Sequence, residues 1–426
     1  MKTVWQTAYS LLALPLMWFV VRILGLFNRK VRRGIQGRRD LFAMLERQVA
    51  EKLAPGKRVW FHASSMGEFE QAKPIIAELK RRHPDIRVIA TFFSPSGFEH
   101  SRKYPLADVI SYIPFDTRKG AKRFLDLTRP DVAVIIRYDV WPNHIWELHR
   151  CKVPVLIANA TMRQNTLRRF PLVRKFHYFV YNAIDSILTV SERDAEAFKV
   201  FSLTHPAIQA IGDTRYDQVS IRSAEAKKRH VIAEPVLRGK RVLVAGSTWP
   251  EDEEVLLTGY LRRRQTMKHL LLVIVPHEPT VEHLEELEAE LAGKASFIRF
   301  SALNDYNGED VIIVDSIGIL LTLYTYADVA FIGGSFKQNV HNVLEAAVYG
   351  IPVVYGPRHA NSQEAVTLAK SGGGFVVQDS DSLFMSLKAL YENEEKRKHA
   401  GAIAAAFVNQ RIGATEKFLA HLSKYL

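Results

Sequence analysis

Short, continuous runs of apolar residues alternate with longer amphipathic stretches along most of the chain. Most runs are rich in β-branched residues and apolar throughout, as in strands buried on both faces of a parallel sheet. Two series of runs predict two doubly wound α/β domains, joined by the polar stretch 213–239. The predicted strands are Val59–His62, Val88–Phe93, Val109–Ile113, Val132–Ile136, Val155–Ala158, Ser186–Val190 and Ile208–Ile211, followed by Val242–Ala245, Leu271–Val275, Val311–Val314, Val329–Ile332, Val353–Tyr355 and Phe375–Val377.

The amino-terminal run is different in kind. Residues from Leu11 to Val21 are all apolar, and a basic cluster follows from Arg29 to Arg39. A cleavable signal peptide carries its charge in front and small residues at the cut, whereas this segment has only Lys2 in front and no such site. The run predicts a membrane anchor that keeps the following chain on the cytoplasmic side. Spanning and surface-lying helices both fit, and a buried first helix is the alternative.

Charge is spread unevenly over the 426 residues. Residues 1–58 hold 12 Lys and Arg against 3 Asp and Glu, a net +9 of the total +13. The nearly neutral remainder argues against a nucleic-acid-binding protein, which usually spreads basic surface over its folded body. The single cysteine, Cys151, excludes an intramolecular disulfide framework.

Loops that follow strands carry the candidate chemistry, because ligands of open parallel sheets bind beyond the carboxyl ends of the strands. Facing domains would place such a site in the cleft between them. Glu68 follows the first strand and opens a helix expected to end near Arg82. It is either a first-turn stabiliser of that helix or a general base that deprotonates an alcohol. A degenerate nucleophile elbow at Ser65 is the weaker alternative.

The second domain has two comparable loops. Ser247 or Thr248 is expected to cap the helix near Pro250, either for capping alone or with a phosphate at the helix start. Gly333 and Gly334 allow a ligand close to the backbone. Glu345, four residues after His341 and expected on the same helix face, either binds the two hydroxyls of a ribose or simply faces solvent.

Two apparent metal motifs are set aside. His277, Glu278, Glu282 and His283 lack the histidine pair of a zinc helix. Asp379 and Asp381 precede a helical stretch, where an N-cap is the better interpretation. The sequence therefore predicts no metal site.

Taken together, these loops resemble the transferases that place 3-deoxy-manno-octulosonic acid (Kdo) on the lipid A precursor. The resemblance covers essentially the whole chain. Its motifs are HASSMGE (62–68), FFSPSGFE (92–99), IPFD (113–116), WPN (141–143), IANA (157–160), VSERD (190–194), GDTRYD (212–217), AGST (245–248), DSIGILLTLY (315–324), GGS (333–335), HNVLEAA (341–347) and YGP (355–357).

The resemblance implies an α/β glycosyltransferase of the GT-B fold, with two Rossmann-like domains. Its parts would be a membrane anchor (1–40), an acceptor domain (41–215), a nucleotide domain (216–401) and a last helix crossing back (402–426). It implies an inner-membrane enzyme on the cytoplasmic face, which contacts an anionic membrane surface and binds no nucleic acid. Its substrates would be CMP-Kdo and the lipid A precursor, with no metal or other cofactor.

The same resemblance implies roles for individual residues. Glu68 falls on the position of the general base, and Arg137 and Arg215 fall on positions thought to stabilise the transition state. The nucleotide-binding positions, to which the capping pair Ser247 and Thr248 is added as a phosphate site, fall on His277, Glu278, Gly318, Ile319, Leu320, Asn342, Val343, Leu344 and Glu345.

This chain departs from the family pattern at three places. Arg137 stands where much of the family has glutamate, Arg215 replaces the usual lysine, and His277-Glu278 replaces an Arg-His pair. Two other functions stay open at this point. One is a GT-B transferase of envelope assembly that uses a UDP-sugar. The other is a membrane adaptor without catalysis, and Arg137 is the residue that most favours this second interpretation.

Overall fold

The computed structural model describes residues 2–162 and 167–426, and the chain forms two compact units. The first comprises Met1–Gln218 and Ile412–Leu426, and the second comprises Val219–Arg411. The first boundary falls inside a helix, Thr214–Ala226, within the stretch predicted as a linker. The chain returns from the second unit to the first at Ile412. The sequence predicts this return at residue 402.

The first unit is built on a seven-stranded parallel sheet of order β3-β2-β1-β4-β5-β6-β7. Its strands are β1 Arg58–Ala63, β2 Arg87–Phe92, β3 Val109–Tyr112, β4 Val132–Ile136, β5 Val155–Ala160, β6 Ser186–Thr189 and β7 Ala207–Ala210. Its helices are α1 Lys2–Ala8, α2 Leu14–Phe27, α3 Arg29–Gln36, α4 Leu41–Lys52, α5 Met66–Arg82, α6 Pro95–Ser101, α7 Arg118–Thr128, α8 Pro142–Arg150, α9 Pro171–Tyr181, α10 Glu192–Phe198 and the start of α11 Thr214–Ala226, together with α20 Ala414–Leu422.

The second unit has a parallel sheet of the same size, of order β10-β11-β9-β8-β12-β13-β14. Its strands are β8 Arg241–Thr248, β9 Leu270–Pro276, β10 Phe297–Arg299, β11 Val311–Ile313, β12 Val329–Ile332, β13 Val353–Tyr355 and β14 Gly374–Val376. Its helices are α12 Glu234–Leu237, α13 Pro250–Thr266, α14 Val281–Leu291, α15 Leu320–Leu323, α16 Leu344–Ala347, α17 Gln363–Ser371, α18 Ser380–Glu392 and α19 Glu394–Asn409. Asp379 is the N-cap of α18, where its carboxylate accepts the Ser382 N–H at 2.8 Å.

Each sheet reverses its strand order at one place. In the first sheet β1 lies between β2 and β4, and in the second β8 lies between β9 and β12. Loops that leave neighbouring strands in opposite directions open a crevice at such a switch point, where doubly wound proteins bind ligands. The loops after β1 and β4, and those after β8 and β12, are therefore the places to look for a site in each unit.

The apolar amino terminus is helical from Lys2 to Phe27. One π-helical turn, Tyr9–Ala13, joins α1 to α2. Residues Thr3–Phe27 are long and apolar enough to cross a membrane, with a mean hydropathy of 2.0, although one such helix is weak evidence of a span.

The carboxyl-terminal helix packs in the core of the first unit. Phe418, Leu419 and Leu422 are buried against residues of α5 and the first sheet. Glu416 forms an ion pair with Arg82 at the end of α5. The sequence expects one helix over 402–426, but residues up to Asn409 belong to α19 in the second unit.

Candidate active site

Glu68 lies in the first turn of α5, directly after β1 and at the switch point of the first sheet. Ser65 is the N-cap of α5, and its hydroxyl accepts the Glu68 N–H at 3.4 Å. Oε2 of Glu68 accepts the Ser64 N–H at 2.6 Å. The carboxylate thus lies in the first turn of α5, where the simpler interpretation of the sequence places it as a helix stabiliser. Its other oxygen, Oε1, takes no part in the bond to the Ser64 N–H.

The surroundings of Glu68 favour its neutral form. The residue is 8% exposed, and burial raises the pKa of its carboxyl above the usual value. The Ser64 N–H lowers this pKa, the negative charge of Asp139 raises it, and His62 and Arg137 lower it. A carboxylate with a raised pKa is a stronger base than a solvated one, which suits it to proton abstraction.

A polar network fixes the two loops around Glu68. His62 is fully buried at the end of β1, with Nδ1 3.0 Å from Thr91 Oγ1 and Nε2 3.3 Å from Asp139 Oδ2. Trp141 Nε1 donates to the same Asp139 oxygen at 3.1 Å, and the Ser64 hydroxyl also donates to it. The loop after β4 is thereby tied to the loop after β1, which carries Glu68.

Arg137 is the first residue after β4 and has an unusual backbone. Its φ is +67°, in the left-handed region that costs a non-glycine residue about 1–2 kcal/mol. Its Nε is buried and has no hydrogen-bond partner in the described part of the chain. Strain and an unused donor next to a buried carboxylate mark Arg137 as a candidate for contact with an anionic ligand.

Arg215 lies at the start of α11 and is paired with Asp213. Its Nε donates to Asp213 Oδ2 at 2.9 Å, and an Nη lies 2.8 Å from the same oxygen. The preceding residue, Thr214, donates its hydroxyl to the Gln71 carbonyl of α5 and accepts from Asn159 Nδ2 at 2.6 Å. This buried linkage holds the start of α11 against the helix that carries Glu68.

In the second unit, the loops after β8 and β12 cross at close range. A Cβ added to Gly333 would overlap backbone atoms of Ser247 and Thr248, so only glycine allows this crossing. Asp252 joins the same loops, because its buried carboxylate accepts the N–H groups of Gly334 at 2.7 Å and Phe336 at 3.0 Å. Burial raises the pKa of Asp252, against the lowering effect of these bonds.

The predicted cap at Ser247 or Thr248 is wrong. β8 continues through Thr248, and the N-cap of α13 is Trp249, whose N–H donates to Asp252 Oδ2 at 3.0 Å. Thr248 is fully buried, and its hydroxyl donates to Glu253 Oε1 at 2.6 Å. Three acidic residues, Glu251 to Glu253, occupy the first turn of α13, which disfavours a phosphate at this helix start.

An aromatic cluster stands at the switch point of the second sheet. The rings of His277 and His341 stack with centroids 4.5 Å apart, and Trp249 lies 4.8 Å from His277. Trp249 Nε1 donates to His341 Nε2 at 3.0 Å, and Lys337 Nζ lies 3.9 Å from the Trp249 ring centroid. Burial, together with His277, lowers the pKa of His341 to about 4, so its imidazole is neutral near pH 7.

The other predicted nucleotide-binding positions surround this cluster. Gly318, with φ +89°, and Ile319 lead into α15, and Leu320 packs against Gly246 of β8. Asn342 is exposed, whereas the side chains of Val343 and Leu344 are buried and leave only backbone for a ligand. Glu345 lies 3.7 Å from Arg222. His341 precedes the short α16, so its expected place on the same helix as Glu345 is wrong.

Several residues at these sites carry no predicted role in the sequence. In the first unit they are His62, Ser64, Asp139 and Trp141, and in the second they are Trp249, Asp252 and Lys337. Most of them lie in or beside the motifs that carry the resemblance, which is the signal that could have found them. Among residues 2–162 and 167–426, no group of three or more His, Cys, Asp or Glu side chains is placed to hold a metal ion.

Comparison with known proteins identifies the fold first. The UDP-GlcNAc 2-epimerase of Neisseria meningitidis superposes with a TM-score of 0.60 at 15% identity, covering 86% of this chain and all of that one. MurG of Acinetobacter baumannii superposes with a TM-score of 0.52 at 14% identity, covering 87% and 100%. The predicted GT-B fold, with two doubly wound sheets, is confirmed.

Sequence comparison then identifies the family. A family profile described as 3-deoxy-D-manno-octulosonic-acid transferase (kdotransferase) matches residues 37–218. The 3-deoxy-D-manno-octulosonic acid transferase of Aquifex aeolicus is 30% identical over 80% of this chain and 88% of its own. That of Haemophilus influenzae is 25% identical over 99% of both chains. The chain belongs to the Kdo transferase family and is a glycosyltransferase, as the resemblance implies.

Proposed function

We propose that this enzyme transfers Kdo from CMP-Kdo to the lipid A precursor, in lipopolysaccharide biosynthesis at the cytoplasmic face of the inner membrane. The observation that carries the proposal is Glu68, a buried carboxylate with a raised pKa at the switch point of the first sheet. Membership of the Kdo transferase family indicates that the transferred sugar is Kdo. The geometry around Glu68 supports its role as the base.

The proposed reaction is a direct displacement with inversion. A hydroxyl oxygen of the acceptor attacks the anomeric carbon of Kdo while the bond from that carbon to the phosphate oxygen of CMP breaks. CMP leaves with the electron pair, and Glu68 accepts the proton of the hydroxyl. The Ser64 N–H holds Oε2, which leaves Oε1 as the oxygen that takes the proton.

Two arginines of the first unit suit an acidic donor. Negative charge grows on the phosphate as the bond breaks, and fixed positive charge placed near it lowers the barrier. Arg137 has a buried Nε without a partner, and we assign it to the carboxylate or the phosphate of the donor. Arg215 is positioned by Asp213, and we assign it to the phosphate.

The second unit is proposed to bind the cytidine part of the donor. Backbone groups of Gly318, Ile319 and Leu320 would contact the base, and Glu345 would accept hydrogen bonds from the ribose hydroxyls. The stacked rings of His277 and His341 support a flat ligand at this edge of the sheet. Catalysis without a metal is part of the proposal, so a chelator is expected to leave the rate unchanged.

The lipid nature of the acceptor is supported by an apolar cavity in the first unit. The cavity has a volume of about 390 Å³ and is lined by residues of α2, α3 and the loop after β2. Ser94 of this lining donates its N–H to the Ser64 carbonyl at 2.8 Å, beside the loop that holds Glu68. A chain from an amphiphilic acceptor would therefore lie next to the proposed base.

Arg137→Gly is expected to lower the rate of transfer by about 10²-fold, because it removes a charge that stabilises the transition state. Glycine adopts a φ of +67° without strain, so the unfolding temperature should not fall. Steady-state kinetics and a thermal melt measure the two effects. A variant with full activity would remove Arg137 from the mechanism.

Mass spectrometry of the lipid product tests the proposal. Purified enzyme with CMP-Kdo and lipid A precursor should yield a product heavier by whole Kdo residues, both with and without a chelator. UDP-sugars offered in parallel should yield none. Transfer from a UDP-sugar in place of CMP-Kdo would establish the rival GT-B function, and the absence of any product would favour a membrane adaptor.

A further inference from the structure

The inward face of the amino-terminal helix is attached to the folded first unit near its start. Tyr9 Oη donates to Asp116 Oδ2 at 2.8 Å, and Asp116 is fully buried. The Asp116 carboxylate also accepts the N–H groups of Asn143 and His144, each at 3.1 Å. Tyr9 is therefore part of a polar network inside the protein, in the first third of a segment that is long and apolar enough to cross a membrane.

Aromatic packing extends this attachment along the first turns. The ring of Tyr9 lies 5.6 Å from that of Phe176 and 6.0 Å from that of Trp146, and Trp5 lies 6.1 Å from Phe176. Leu14 is 4% exposed. The π-helical turn brings both Tyr9 and Leu14 inward, because the Leu14 N–H bonds the Tyr9 carbonyl five residues back.

The second half of the helix also faces the first unit. Trp18, Val21 and Leu24 line the apolar cavity together with Phe93 and Phe115 of the loops after β2 and β3. Trp18 and Leu24 are each 49% exposed, so the close contacts with the first unit run from Trp5 to Leu14. The remaining residues, from Pro15 to Phe27, measure about 20 Å at 1.5 Å per residue, which is shorter than the roughly 30 Å of a bilayer core.

A helix attached in this way cannot cross a bilayer. A span would bring Asp116, Asn143 and the loops after β2 and β3 into hydrocarbon, where irregular backbone and polar groups lose their hydration. These loops belong to the carboxyl edge of the first sheet, the same edge that carries Glu68. From Trp5 to Leu14 the inward face of the helix is occupied by protein, so a bilayer can meet this part of the helix only on its outward face.

That outward face and its surroundings have the chemistry of a membrane surface site. The exposed side chains of the helix are mostly apolar: Val4, Leu11, Leu12, Leu16, Trp18, Phe19, Val20, Ile23, Leu24, Leu26 and Phe27, with Thr3, Thr7 and Arg22 as the exposed polar residues. A basic cluster follows: Arg29, Lys30, Arg32, Arg33 and Arg39 are exposed. None of the five has an ion-pair partner in the described part of the chain, and such residues attract anionic headgroups by about 1 kcal/mol each.

We infer that the helix Lys2–Phe27 lies in the plane of an anionic membrane, with its outward face at the headgroup boundary and its inward face on the first unit, and does not span the bilayer. This arrangement would place the carboxyl edge of the first sheet, with Glu68, at the lipid surface. The inference concerns position alone and holds whatever sugar the enzyme transfers.

Depth measurements with nitroxide labels test the inference. Single cysteines at exposed positions (Val4→Cys, Leu12→Cys, Phe19→Cys and Leu26→Cys) are labelled in a full-length Cys151→Ser chain. The protein is reconstituted in vesicles of phosphatidylethanolamine and phosphatidylglycerol. Accessibility to oxygen and to a nickel chelate then gives the depth of each label, and the inward Leu14→Cys serves as a protein-buried control.

We expect all four outward labels at one shallow depth, about 5–10 Å below the surface, and the control shielded from both reagents. A profile that is deepest at positions 12 and 19 and shallow at both ends would show a span and overturn the inference. Labels accessible to the nickel chelate at all four positions would also overturn it, since the face would then not touch lipid.

Discussion

Replacing Glu68 by glutamine is expected to lower the turnover number for Kdo transfer by about 10²–10⁴-fold, the usual contribution of a general base. The amide has nearly the shape of the carboxylate, and its oxygen can still accept the Ser64 N–H that Glu68 now accepts. Only the capacity to take up a proton is lost. Rates of product formation from CMP-Kdo and lipid A precursor measure the effect.

Two controls separate catalysis from folding and donor binding. Titration calorimetry should give the same dissociation constant for CMP in the variant and the parent. The unfolding temperature should not fall, because burial disfavours the charged form of Glu68 and glutamine is neutral. A turnover number within a few fold of the parent would show that another group takes the proton.

Replacing Asp252 by alanine is expected to abolish donor binding and to destabilise the second unit by about 3 kcal/mol or more. The buried carboxylate accepts N–H groups from Trp249, Gly334 and Phe336. Its removal leaves these donors without partners, and each buried unpaired group costs about 1–3 kcal/mol. The loops after β8 and β12 would then separate, and the stacked rings of His277 and His341 with them.

Glu251→Ala is the matched control, since Glu251 lies one residue earlier in the same helical turn and its side chain is half exposed. Chemical unfolding and CMP titration should change strongly in Asp252→Ala and little in Glu251→Ala. Equal effects of the two substitutions would mean that the charge of the helix start, rather than the bridge between loops, stabilises this region.

The strands were predictable because most are buried on both faces. Every predicted run became a strand, with bounds shifted by at most a few residues. The strand that escaped prediction, Phe297–Arg299, is three residues long and half-buried at the edge of the second sheet. This segment ends in arginine and has no continuous apolar pattern. It is a strand because its backbone pairs with β11.

The position of a candidate site residue was predictable only where its place directly after a strand is enough to locate it. Glu68 follows β1 in the sequence, and the loop after a strand locates it. The bonds of Asp139 to His62 and Ser64 join segments far apart in the chain, which no local pattern shows. The wrong cap at Ser247 has a local cause, because Asp252 accepts the Trp249 N–H and moves the helix start one residue beyond Thr248.

The amino-terminal helix shows a different limit of sequence patterns. Hydropathy records that the side chains are apolar and not what they contact. The hydroxyl of Tyr9 is a minor interruption in such a profile, yet its bond to the buried Asp116 fixes the helix to the first unit. The sequence leaves spanning and surface-lying helices open, and this hydrogen bond is one of the contacts that support the surface-lying arrangement inferred above.

The pH dependence of the transfer step, measured in single turnovers with saturating CMP-Kdo, tests the role of Glu68 most directly. The base must be ionised, and burial raises its pKa above the ordinary 4.5. The rate should therefore begin to fall as the pH drops to that raised pKa and should fall about tenfold per pH unit below it, and this limb should vanish in Glu68→Gln. The same acid limb in both proteins would contradict the account.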